Sequence, residues 1–180
     1  MPTIRLAELH PILVHFPIAL LIVSVALDFA GLFLRRAGLT TAATWCLVLG
    51  VPGAVAALGS GWLSEHDVNA ALAGSLLHLH KVAAVLTSIL FGVLLLLRLV
   101  WLLPRIFAWL AVVSPGTAPA LDDAEGRLKM VLPLLYVRRL PRSVIAVYLL
   151  ASVVGVALLA ITGYLGGALV YDHGVGMPIP

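Results

Sequence analysis

HPILVHFPIALLIVSVALDFAGLFLRR, from His10 to Arg36, decides the fold. After its opening histidine the stretch is apolar from about residue 12 to 34, interrupted by His15 and one acid, Asp28, and it ends on Arg35-Arg36. A bilayer core is crossed by about 20 apolar residues in helical form, so this run is long enough to span. It lacks a positively charged opening and a small-residue cleavage site. It therefore reads as a permanent transmembrane helix. Three more runs follow, over about 41–63, 78–103 and 144–170. The chain is expected to be one all-α domain over 1–180, a four-helix transmembrane bundle.

Composition agrees. Of 180 residues, 62% are hydrophobic and 11% charged, against about 25% charged in a soluble domain. The mean hydropathy is +1.14. The net charge of +3 does not indicate nucleic acid, because the basic residues lie mainly between apolar segments and form no stripe on a soluble face. The one cysteine, Cys46, sits inside an apolar run. It has no internal disulfide partner and belongs to no CxxC or CxxCH motif, and reads as a small core residue.

The basic residues set an expected topology. Arg35 and Arg36 lie between runs one and two, and Arg105, Arg127, Lys129, Arg138, Arg139 and Arg142 between runs three and four. The opposite side holds Arg5 and Lys81. The positive-inside rule puts the two arginine-bearing connections in the cytoplasm. Both termini then face outward, to the periplasm if the cell is bacterial and the membrane its inner one. The connection over about 104–142 is long. It holds two apolar pieces, Ile106 to Val113 and Leu128 to Val137, on either side of a polar middle. Both are too short to span and read as interfacial segments, with Trp109 and Tyr136 near headgroup level. No internal repeat stands out.

All six histidines fall at the same end of the four runs. His10 and His15 open the first. They are about 140° apart on a helix, so they share a site only if the helix start is irregular, and Pro17 is expected to bend it. Glu65, His66 and Asp67 form a polar turn after the second run, able to bind a cation but also ordinary for a solvated loop. His78 and His80 open the third. About 200° separates them, and the inward face favours His80. Arg98 lies 18 residues beyond His80, five turns on, as Asp28 lies 18 beyond His10. Asp28 and Arg98 each precede an arginine, Arg35 and Arg105, by seven residues. Their depths match, and a structural ion pair between them would lower the cost of two membrane charges. GYLGGALVYDHGVG, Gly163 to Gly176, closes the chain's last run. Its Gly163 and Gly167, like Gly53, Ala57 and Gly61 in the second run, give four-residue spacing that suits close helix packing or a flat cofactor. His173 follows Tyr171 and Asp172.

HPxxVHFPIAL at the start and GGxLVYxHGVG at the end resemble the bacterial membrane family called domain of unknown function 2231. Gly61-Trp62 and a histidine opening the third run fit as well, and the resemblance covers most of the chain. It implies four transmembrane helices without an assigned activity. It also implies a redox setting, since some relatives look fused to or encoded beside c-type cytochromes. By motif match, His10, His15, His80 (or His78) and His173 correspond to the family histidines. The long cytoplasmic connection departs from more compact members.

Three functions follow as expectations. The first is binding of one haem b by His10, His15, His80 and His173 for electron transfer near the outer face. With no histidine at the inner end, a two-haem wire across the membrane is excluded. The second is a site for Zn, Cu or Fe on the same four residues, with His66, His78, Asp67 and other outer carboxylates as further donors. The third is an accessory subunit of a larger respiratory or photosynthetic membrane complex. Lipid is the expected surrounding and a periplasmic cytochrome an expected partner. No catalytic constellation is recognised.

Overall fold

The computed structural model describes residues 6–64, 70–113 and 141–172, with side chains placed for residue 10, 13–63, 74–101 and 141–172. Glu65, His66, Asp67, the segment Leu128–Val137 and His173 lie outside the described residues. Among the described residues there are four helices and no strand: α1 (Leu6–Phe33), α2 (Ala37–Ser64), α3 (Ala70–Val113) and α4 (Arg142–Tyr171). Each carries a stretch long and apolar enough to cross a membrane: Leu13–Phe33, Ala37–Leu63, Gly74–Trp101 and Arg142–Tyr171.

Two boundaries differ from the sequence reading. α1 runs without interruption through Pro11 and Pro17. A proline deletes one backbone bond, and the helix on both sides is held by packing: Gly53 of α2 leaves room for the Pro17 ring, which a Cβ there would meet at 3.3 Å. α3 does not stop at Leu103. It continues through Pro104 to Val113, so Ile106–Val113 belongs to α3 and is not a separate interfacial piece. Its 44 residues make a helix of about 66 Å at 1.5 Å per residue, twice the thickness of a bilayer core of about 30 Å. Apolar helix formers carry on past the membrane span, and no turn-forming residue stops them before Ser114-Pro115-Gly116.

The α1–α2 turn is closed by a Schellman motif. Arg35 adopts a left-handed φ of 52°, and the Arg36 N–H donates to the Gly31 carbonyl at 3.0 Å. This pattern ends a helix by satisfying its orphan carbonyls. Gly31 also lets the start of α2 come close, since a Cβ there would meet Thr40 Cγ2 at 2.7 Å.

The described chain divides into two compact units, Met1–Leu95 with Leu149–Pro180, and Leu96–Tyr148. In the first, α1 pairs antiparallel with α2, and the upper part of α3 with that of α4. Leu21 packs on Gly50, and the Ser24 hydroxyl donates to the Ala43 carbonyl at 2.8 Å. Phe91 packs on Gly155. Leu21, Leu47, Phe91 and Leu94 form its centre, with Ser24, Asp28, Thr87 and Ser152 buried among the apolar side chains. Most other large apolar side chains face outward, as lipid-facing positions do.

In the second unit, Arg98 Nη1 donates to the Tyr148 hydroxyl at 3.1 Å, and its guanidinium lies 5.7 Å from the Tyr148 ring centre. Trp101 packs on the same ring at 5.3 Å. A cation in an apolar helix needs such a partner.

Candidate functional site

The two inward histidines, His10 on α1 and His80 on α3, occupy matching settings. Each imidazole lies against a glycine of the helix that follows it. A Cβ at Gly61 would meet His10 Cε1 at 3.1 Å, and a Cβ at Gly166 would meet His80 Cε1 at 3.1 Å. Any larger residue at either position would push the ring away from the helix backbone.

Hydrogen bonds then fix which ring nitrogen carries the proton. His80 Nδ1 lies 3.0 Å from the Thr162 carbonyl. A carbonyl only accepts, so Nδ1 donates. His10 Nδ1 lies 2.9 Å from Ser60 Oγ. The Ser60 hydroxyl already donates to the Ala57 carbonyl at 2.8 Å, so its oxygen accepts and His10 Nδ1 donates. In a neutral ring this leaves Nε2 of each imidazole as the lone-pair nitrogen. A proton pinned on one nitrogen by an outer partner is the standard preparation of a histidine ligand.

Electrostatics supports the neutral state of His10, which precedes the membrane-spanning stretch Leu13–Phe33. Burial lowers its pKa from the usual 6.5, and the nearby His80 ring lowers it further, while a bond to the Ala57 carbonyl works the other way. The two imidazoles are therefore close enough to feel one another's charge.

The remaining sequence candidates lie elsewhere or outside the described residues. His15 is exposed, on a different face of α1 from His10, and His78 is exposed on α3. A shallow apolar hollow beside His78 and Lys81 is floored by Val82, Val85 and Leu86. His66, Asp67 and His173 lie outside the described residues. Asp28 is buried, and Arg98 donates to the Tyr148 hydroxyl. No group of three His, Cys, Asp or Glu side chains suited to a metal ion occurs among the described residues.

The sequence missed the partners that orient the rings. Ser60 and Thr162 look like any small polar residue of an apolar run, and Gly61 and Gly166 like any packing glycine. The expected packing pair of Gly163 and Gly167 is corrected by the structure. A Cβ at either meets nothing within 4 Å, and the close contacts of α4 are made by Gly155 and Gly166. In α2 the expected face is the one used: Gly53 meets Pro17, Ala57 is buried and Gly61 meets His10.

No curated protein and no solved structure matches the chain. The family described as "Predicted membrane protein (DUF2231)" matches residues 7–119 and 128–178. With four apolar helices and a match over most of its length, the chain is an integral membrane protein and belongs to this DUF2231 family.

Proposed function

We propose that the protein binds one haem b between His10 and His80 and passes electrons at one face of the membrane. The observation that carries this reading is the matched pair of imidazoles, each with Nδ1 tied to a neighbouring helix and Nε2 left to ligate. Paired imidazoles from different helices suit a low-spin, electron-transferring b-type haem. When bound, the haem supplies a reversible one-electron couple. The chain's own residues orient the two rings, hold their protons on Nδ1 and, through Gly61 and Gly166, keep the rings against the helix backbones. A pair of imidazoles suits haem better than a bare Zn, Cu or Fe ion. The porphyrin brings four nitrogen donors, whereas an ion would need further donors beyond the described cluster. His15 and His173 belong to the same end of the chain's topology and complete the family's histidine set.

The basic residues of the two arginine-bearing connections support an outward, periplasmic location for this end in a bacterial inner membrane. A periplasmic cytochrome or a larger membrane complex is then the natural electron partner. The test is an absorption spectrum of the purified protein with haem and metal analysis. A low-spin b-type spectrum at one haem per chain is expected. A colourless protein holding stoichiometric metal would replace the haem reading with the metal one, and a stable partner with no bound cofactor would favour an accessory role.

A further inference from the structure

The contacts of the first hairpin recur in the second at a constant offset. His80 follows His10 by 70 residues, and Phe91 follows Leu21 by the same 70. Gly166 follows Gly61 by 105, and Gly155 follows Gly50 by the same 105. These are the residues that touch: His10 on Gly61 and Leu21 on Gly50 in one hairpin, His80 on Gly166 and Phe91 on Gly155 in the other. The carbonyls follow the same rule. His80 donates to Thr162, and the residue 105 earlier is Ala57, whose carbonyl bonds His10. Pro17 and Thr87, 70 apart, are both buried.

At one level of the two hairpins, bulk is exchanged. Ser24 corresponds to Leu94, and Leu47 to Ser152. All four have at most 2% of their surface exposed. One serine and one leucine thus lie at this level of each hairpin, on opposite members. Such an exchange keeps core volume constant. α1 and α3 are thus each followed by an antiparallel partner that they meet through equivalent positions.

We infer that the chain is two tandem copies of one helical hairpin, and that the histidine site is shared between them, one imidazole from each copy. Ser60 is the position that makes the halves unequal. Its counterpart is Leu165, so His10 reaches a hydroxyl where His80 reaches a carbonyl alone. Ser60 is in this sense a positioning residue. The ligand's identity rests on the haem reading; the shared, one-per-copy geometry does not. It follows that a ligand of this site takes two imidazoles per chain, and that His15, whose counterpart is Val85, and His78, whose counterpart is Glu8, stand outside the repeat.

The experiment uses the whole chain given by the sequence, without haem. In a Cys46→Ala background, His10→Cys with His80→Cys is treated with a short bismaleimide, and bridged peptides are sought by mass spectrometry. The non-equivalent pair His15→Cys with His78→Cys serves as control. A 10–80 bridge without a 15–78 bridge is expected. An unbridged 10–80 pair in a protein that keeps the parent's thermal midpoint would overturn the shared site. Independently, ¹⁵N-histidine NMR of the otherwise wild-type chain should show both His10 and His80 as Nδ1–H tautomers with distinct Nε2 signals. Ser60→Leu should move the His10 signal towards that of His80. A ring protonated on Nε2, or a His10 signal indifferent to Ser60→Leu, would also overturn the inference, and this arm decides alone if the double cysteine variant is unstable. A haem-free wild-type protein that bridges as expected would sink the haem reading and leave the repeat standing.

Discussion

Gly166→Ala asks the most of the site. The new Cβ would stand 3.1 Å from His80 Cε1 and 3.5 Å from Nδ1. Ordinary carbon contacts lie near 3.5–4.0 Å, so the ring must retreat by about 0.4 Å or more. The Nδ1 bond to Thr162, now 3.0 Å, then stretches beyond good N–H···O geometry, which ends near 3.2 Å. Losing it costs about 0.5–1.5 kcal/mol. Replacing a helical glycine by alanine returns about 0.5–1 kcal/mol. Global stability should therefore change little. Ligand affinity has no such compensation, and at 1.4 kcal/mol per factor of ten it should fall about two- to tenfold. Gly163→Ala is the control. Its Cβ meets nothing within 4 Å, so it gains the helix propensity and leaves the ring untouched. Haem titration followed by Soret absorbance, with thermal midpoints of the same samples, reads both quantities. Equal affinities for the two variants would refute the claim that Gly166 seats His80.

Other consequences can be checked alongside. Gly155→Ala puts a Cβ 3.0 Å from two ring atoms of the fully buried Phe91, and overpacking of this kind costs about 1–3 kcal/mol; the thermal midpoint should fall clearly. His10 has its folded-state pKa below 6.5 because burial and His80 disfavour its charged form. Its contribution to stability is thus fully present above pH 6.5 and is lost as the pH falls from there through the lowered value; acid unfolding of His10→Gln, compared with wild type, should lack this component, and ligand binding should weaken over the same acid range. Tyr148→Phe keeps the ring beneath Arg98 but removes the acceptor at 3.1 Å. A loss of about 0.6 kcal/mol is expected from buried membrane hydrogen bonds, and Tyr148→Leu, which also removes the cation–π contact, should cost more.

The fold was legible because the bilayer imposes it. Length, hydropathy and the arginine-flanked ends of the apolar runs mark four spans whatever the packing. What periodicity could not mark was the end of α3: Pro104 and Arg105 read as a helix end, yet the helix runs through them, and Ile106–Val113 is as apolar as the span before it. At the site, helical phase distinguishes His80 from His78, because positions two apart cannot share a face, whereas His10 and His15 were both kept by allowing an irregular helix start. The ring partners were illegible for a different reason. Thr162 acts through its carbonyl, which any residue would supply, and Gly166 differs from Gly163 only in what stands opposite it. The repeat was hidden by its own divergence. Leu21 has become Phe91, Ser24 has become Leu94, and Asp28 stands at the register position of Arg98. Only the contact pattern retains the common plan.

The central claim is that His10 and His80 together hold the ligand. The most direct measurement is the absorption spectrum of the purified protein, oxidised and reduced, for wild type, His10→Ala, His80→Ala and His78→Ala. A low-spin b-type spectrum is predicted in wild type and His78→Ala, and its loss or conversion to high spin in both His10→Ala and His80→Ala. A wild-type protein without Soret absorbance, or a spectrum that survives removal of either inward histidine, would contradict the account.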